Sequence, residues 1–102
     1  MELNVLERLV LLSILPKEAD FTTVKIIRKL KEDLSFSEEE HKALQFVQDG
    51  GNVNWQKDGD IPKDIKIGEK ATDAIVEALK KLNTDKKLTE QHLSLYEKFI
   101  EK

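Results

Sequence analysis

A mainly helical α+β fold is the expectation for this chain, and three observations carry it. Apolar residues recur at helical spacing over several separate stretches, Ser37-Glu-Glu-Glu40 marks a helix start, and Gly50-Gly51 lies between two short alternating runs. At 102 residues the chain fits a single domain. Strands this few and short cannot build a sheet-centred core. The expected order is three N-terminal helices, a β-hairpin with a candidate third short strand, and two C-terminal helices, all packed round the first helix.

The first helix is read from Leu3 to Leu15. Leu3, Val5, Leu6, Leu9, Val10, Leu11, Leu12, Ile14 and Leu15 are too many apolar residues for one face, so this helix needs cover on most sides. It reads as the central post of the fold, with Leu9 buried and with Asn4, Glu7 and Arg8 marking the one strip near solvent. Pro16 ends it, because the residue before a proline avoids the α region. Asp20 is placed to cap a second helix over Phe21–Leu34, with Val24, Ile27, Leu30 and Leu34 as its stripe and Ile26 widening it.

Ser37 and Glu40 form a capping box for a short third helix, Glu38–Leu44, anchored by Leu44. Gln45 to Gln56 then reads as a hairpin, with Gly50 and Gly51 supplying the positive φ angles of a tight turn. That register sets Asp49 opposite Asn52, Gln48 opposite Val53 and Phe46 opposite Trp55. Lys57 to Lys63 is loop-like, and Ile65 and Ile67 make Asp64–Ile67 the candidate third strand. A fourth helix, Glu69 to about Leu82, follows from Ala71, Ile75, Ala78, Leu79 and Leu82. Thr89 caps the fifth, with Leu88 and Leu93 placed as a hydrophobic staple and His92, Tyr96, Phe99 and Ile100 continuing the stripe.

Composition narrows the function. The formal net charge is −3 with 36% charged residues, a balance that gives no drive toward phosphate backbones or anionic membranes. There is no Cys, hence no disulfide, thiol nucleophile or thiolate ligand. The apolar run at the start has no basic region before it and is interrupted by Glu7 and Arg8, unlike an export signal. It is also shorter than the roughly 20 apolar residues of a membrane span. A cytoplasmic protein without a cofactor is the resulting expectation.

The chemistry-bearing residues are sparse. Three helices and a hairpin match the order of a winged helix, but Glu38, Glu39 and Glu40 at the front of its reading helix would repel DNA. Nucleic acid is therefore an unexpected partner. Lys25, Arg28 and Lys29 give the second helix a basic row, read either as a solvated face or as an interaction surface. Asp58, Asp60 and Glu69 fall at the spacing of the first, third and twelfth positions of a calcium loop, yet Lys63 stands where that loop needs glycine. His41 and His92 have no metal-ligand spacing. No P-loop, dinucleotide fingerprint or nucleophile elbow is present. Phe46 and Trp55 either close the core, the commoner fate of large aromatics, or form a contact patch.

Glu7-Arg-Leu with Ile14-Leu-Pro-Lys-Glu18, Phe36-Ser-Glu-Glu-Glu40, Ile67-Gly-Glu-Lys-Ala71 and Leu93-Ser-Leu-Tyr-Glu-Lys-Phe99 carry a resemblance. In them the chain resembles small uncharacterised proteins encoded by tailed bacteriophages and prophages of Gram-positive bacteria. The resemblance implies expression in the cytoplasm of an infected host and brings no catalytic residue with it. The expectation is a non-enzymatic protein-interaction module that meets a protein partner or a second copy of itself as a homodimer. A winged-helix-like nucleic-acid-binding regulator is the alternative.

Overall fold

The structure is a computed structural model that describes residues 1–101, including every side chain among them except those of Asp49 and Asn52. Its elements are β1 (Glu2–Leu3), α1 (Val5–Ile14), α2 (Phe21–Leu34), α3 (Glu38–Leu44), β2 (Val47–Asp49) and β3 (Asn52–Asn54). A 3₁₀ turn (Lys57–Gly59), β4 (Lys63–Asp64), α4 (Glu69–Thr84) and α5 (Glu90–Tyr96) follow, and a π-helical turn (Glu97–Glu101) extends α5. The fold is mainly α, with two small antiparallel sheets, β1–β4 and β2–β3.

α1 is the post that its composition demands, in contact with α2, α4 and α5. Leu3, Val10, Leu11 and Leu15 enter the main core with Ile27, Leu30 and Leu34 of α2, Ala71, Ile75 and Leu79 of α4, and Leu95 and Phe99 at the C-terminal end. Leu95 is fully buried and anchors α5, a role the expected stripe did not give it. Val24 lies at the margin of its stripe, 41% exposed.

The first helix starts later than its apolar run suggests. Leu3 belongs to β1, and Asn4 is the N-cap: its side chain accepts from the Glu7 N–H at 2.8 Å while Glu7 accepts from the Asn4 N–H at 3.0 Å. This reciprocal box satisfies two amides that a helix start otherwise leaves bare.

The solvent strip of α1 is not where Glu7 and Arg8 were expected to put it. Both are buried, at 2% and 1% exposure, while Leu6 is exposed, Leu9 half-buried and Ser13 exposed. Glu7 turns inward because it serves the cap and also receives Lys98 Nζ at 2.8 Å from the C-terminal turn. Arg8 turns inward because carbonyls at the end of α2 and Glu40 of α3 converge on it. Asn4 is half-buried at the cap.

The candidate third strand is displaced and pairs elsewhere. The strand is Lys63–Asp64 and stops before Ile65; it joins β1, with Glu2 opposite Asp64 and Leu3 opposite Lys63, and not the hairpin. The following Ile65 is buried and Ile67 packs on the core. In α5, Leu93 is 59% exposed, so it does not staple against Leu88. His92 takes the inward position instead, its Nδ1 accepting from the Thr89 N–H at 2.9 Å in the place a Glu or Gln usually holds.

The 3₁₀ turn lies against α3 so closely that Gly59 has no room for a side chain. A Cβ there would stand 2.7 Å from the Ala43 carbonyl oxygen. Gly59→Ala should therefore cost about 1–3 kcal/mol through the backbone shift it forces, read as a lowered urea midpoint.

Candidate functional site

The residues with the most distinctive surroundings lie where α3 meets the hairpin. Gln45 adopts a left-handed conformation at φ 48° and turns the chain back at the end of α3. Phe46 is thereby laid against Phe36, with ring centroids 5.0 Å apart and edge-to-face. His41 sits 6.1 Å from Phe36 and 5.5 Å from Phe46. Phe36 precedes the Ser37 cap and His41 lies four residues after it, the spacing of a hydrophobic staple. Trp55 comes up from the other strand, 6.2 Å from Phe46. The Arg8 guanidinium lies 4.0 Å from the Phe36 centroid beneath, and Lys57 Nζ 5.7 Å from Trp55 at the outer end. These rings form a half-buried shelf separate from the main core.

The shelf fixes the root of the hairpin. Trp55 Nε1 donates to Asp60 Oδ2 at 3.3 Å, and Asp60 Oδ1 accepts from the Val5 N–H at 3.0 Å, so one carboxylate ties the indole to the start of α1. The Gln56 N–H donates to the Leu44 carbonyl at 2.7 Å. Beyond this root the hairpin is an arm. Val47 is 57% and Val53 39% exposed, and Gln48, Gly50, Gly51 and Asn54 are exposed as well. The register is Val47 opposite Asn54, Gln48 opposite Val53 and Asp49 opposite Asn52, as expected for a two-residue turn. Gly50 and Gly51 supply its φ angles of 55° and 91°. Phe46, Gln48, Val53 and Trp55 fall on one face because side chains alternate along a strand. Among the described residues β2 and β3 pair only with each other.

Under the shelf, Arg8 joins three helices. Its Nε donates to the Leu34 carbonyl at 3.2 Å and Nη2 to the Ser35 carbonyl at 2.7 Å, at the negative end of α2. Nη1 and Nη2 both bond the Glu40 carboxylate. Glu40 also accepts from the Ser37 N–H at 2.9 Å, completing the capping box of α3. The hydrogen bond from Arg8 holds the Glu40 carboxyl at about 2, below the 4.5 of a free one; the Ser37 amide and the charges of Arg8 and Lys63 act in the same sense against the opposing effect of burial.

A stability change with pH follows from that shift. Because the folded pKa is the lower one, the stabilisation is complete above about pH 5 and is lost as pH falls toward 2. With the side chain 26% exposed, about 2–3 kcal/mol should disappear across that window. Glu40→Gln should flatten this limb of the acid-denaturation curve followed by circular dichroism.

The basic row of α2 does not converge on one place. Lys25, Arg28 and Lys29 are all exposed. Lys25 reaches over Phe21 at 5.5 Å, and Arg28 lies 3.9 Å from Glu32. Arg28 borders a groove with Pro16 and Lys17, whereas Lys29 borders a different one with Lys66 and Lys70. None of the three joins Phe46 and Trp55. Of the acids compared with a calcium loop, Asp60 serves Val5 and Trp55, and the neighbouring Asp64 receives the Met1 amine at 2.9 Å.

An open groove of about 620 Å³ lies between the α1–α2 connection and α4, with Glu18, Asp20, Glu77, Lys81, Asp85 and Lys87 among its lining residues. Asp20 there caps α2, and its carboxyl is held below the usual range chiefly by the hydrogen bond from the Thr23 hydroxyl. Among the described residues no helix is long and apolar enough to cross a membrane. Compared with models of protein families, with curated proteins and with solved structures, the chain matches none.

Proposed function

We propose that this protein is a small non-enzymatic interaction module that meets a protein partner through the hairpin arm. The observation that carries the reading is the combination of a fixed root and an exposed, two-edged arm. Aromatic packing, the Trp55–Asp60 bond and the Gln56–Leu44 bond hold the root. The arm leaves its strand edges unpaired and its valines exposed, and such an edge is a template for an added strand. Lone two-stranded hairpins are marginal in water, so covering this one is favourable. The resemblance to phage and prophage proteins supports an accessory or regulatory role in a bacterial cytoplasm.

Affinity capture from host cells, comparing the wild type with Val47→Lys and with Phe21→Ala, tests the reading. Phe21 is exposed on α2, away from the arm. A partner lost with Val47→Lys and kept with Phe21→Ala is the expected result. A partner kept equally by both variants would place the contact elsewhere. The winged-helix alternative draws support from the order of α1–α3 and the hairpin, against exposed Glu38 and Glu39 at the front of α3. Salt-sensitive retardation of duplex DNA in a gel-shift titration would favour it over the protein-partner reading.

A further inference from the structure

We propose that β3 is the seam of a two-fold antiparallel dimer, in which the hairpins of two copies join into one four-stranded sheet. The inference rests on the reading of the hairpin as a contact arm and names a second copy as its occupant.

Backbone geometry selects the edge. In a two-residue hairpin the pair flanking the turn, here Asp49 and Asn52, exchanges both of its hydrogen bonds, and the next pair points its N–H and C=O groups outward. Val53 belongs to that outward pair. Its amide and carbonyl therefore lie on the free side of β3, at the middle of the strand.

The sequence of the edge is its own complement. Antiparallel pairing about Val53 sets Val53 opposite Val53 and Asn52 opposite Asn54 of the second copy. A two-fold axis requires this kind of self-matching patch. No residue from Gly50 to Gln56 is charged, in a chain that is 36% charged. Natural edge strands are usually blunted by Lys, Pro or a bulge, and β3 carries neither charge nor proline. β2 suits the role less well, since it contains Asp49, which the same symmetry would set across from Val47.

The seam is three residues long, so the dimer is a weak one and the measurement must reach high concentration. Sedimentation equilibrium of the whole chain from about 10 µM to about 1 mM spans the range such a contact requires. The wild type should rise from the monomer mass of 11.8 kDa toward twice that value. Val53→Lys and Val53→Glu should each stay at the monomer mass, because like charges then meet directly at the axis. An equimolar mixture of the two should regain association, since Lys now faces Glu. Val53→Thr should associate as the wild type does, and circular dichroism establishes that each variant is folded.

A wild type that stays monomeric up to the highest concentration would overturn the dimer. So would a Val53→Lys variant that associates like the wild type. Association of the wild type without recovery in the Lys–Glu mixture would overturn the pairing about Val53. A monomeric wild type that still captures a partner dependent on Val47 would remove the dimer and leave the arm as a contact surface. A dimer without any captured partner would keep the arm as a contact surface with the second copy as its occupant and remove the separate protein partner.

Discussion

Arg8→Ala is expected to destabilise the fold by about 3–5 kcal/mol, the range for removing one member of a buried, hydrogen-bonded charge pair. The guanidinium is 1% exposed and bonds Leu34 O, Ser35 O and both oxygens of Glu40. Its loss strips the last carbonyls of α2 of their partner, removes the countercharge of Glu40 and leaves a gap under Phe36. Glu40 can hydrate at its exposed side, whereas the Leu34 carbonyl sits at a buried bond and has no such recourse. Arg8→Lys should recover only part of the loss, since an ammonium cannot present a planar fork to acceptors on two sides. Arg8→Met restores volume but no donor, and should fall near Ala. Urea denaturation of the three variants gives the order. In a double-mutant cycle, Arg8→Ala and Glu40→Gln together should cost less than the sum of the two. A loss under about 1 kcal/mol for Arg8→Ala would mean that the guanidinium is a replaceable surface group.

The same residue shows where the sequence stops being legible. Local signals were readable and correct: Asp20 and Ser37 as caps, the ends of α2 and α3, the Gly50-Gly51 turn and the hairpin register. Each of these is decided by residues a few positions apart. Two further local signals were there to be read. Asn4-x-x-Glu7 is a capping box standing before an apolar run, yet the apolar Leu3 drew the helix start forward. Phe36 and His41 have staple spacing about Ser37. The inward turn of Arg8 had no local sign, because its partners lie 26 to 32 residues away and two of them are backbone carbonyls common to every residue. A Glu-Arg pair on a helix reads as solvated by default. The pairing of β1 with β4 is equally non-local, and two-residue strands carry no alternation to reveal it. The candidate contact residues divide along the same line. Phe46 and Trp55 come together because a tight turn sets them opposite each other. Lys25 lies within one helical turn of Arg28 and Lys29, but those two are successive positions that face different sides, so the row splits between two grooves.

The burial pattern of α1 makes its own prediction, with the effects of Leu9 and Leu11 reversed from what an evenly covered post would give. Leu11 is 0% exposed within the main core, between the elements that contact α1 from three directions. Leu11→Ala should cost about 3–5 kcal/mol, transfer of the lost carbons plus the cavity left among side chains that cannot all close in. Leu9 is half-buried and lies outside that cluster, on the strip shared with Leu6 and Ser13. Leu9→Ala should cost no more than about 1 kcal/mol, because solvent fills the space. The contrast is cleaner than either value alone, since both substitutions remove the same atoms from the same helix and share its change in propensity. Equal losses at the two sites would mean that α1 is covered on its Leu6–Leu9–Ser13 side too, where the chain by itself leaves Leu6 and Ser13 exposed. The cover would then have to come from another molecule, so the pair of variants also reads out whether α1 is an interface.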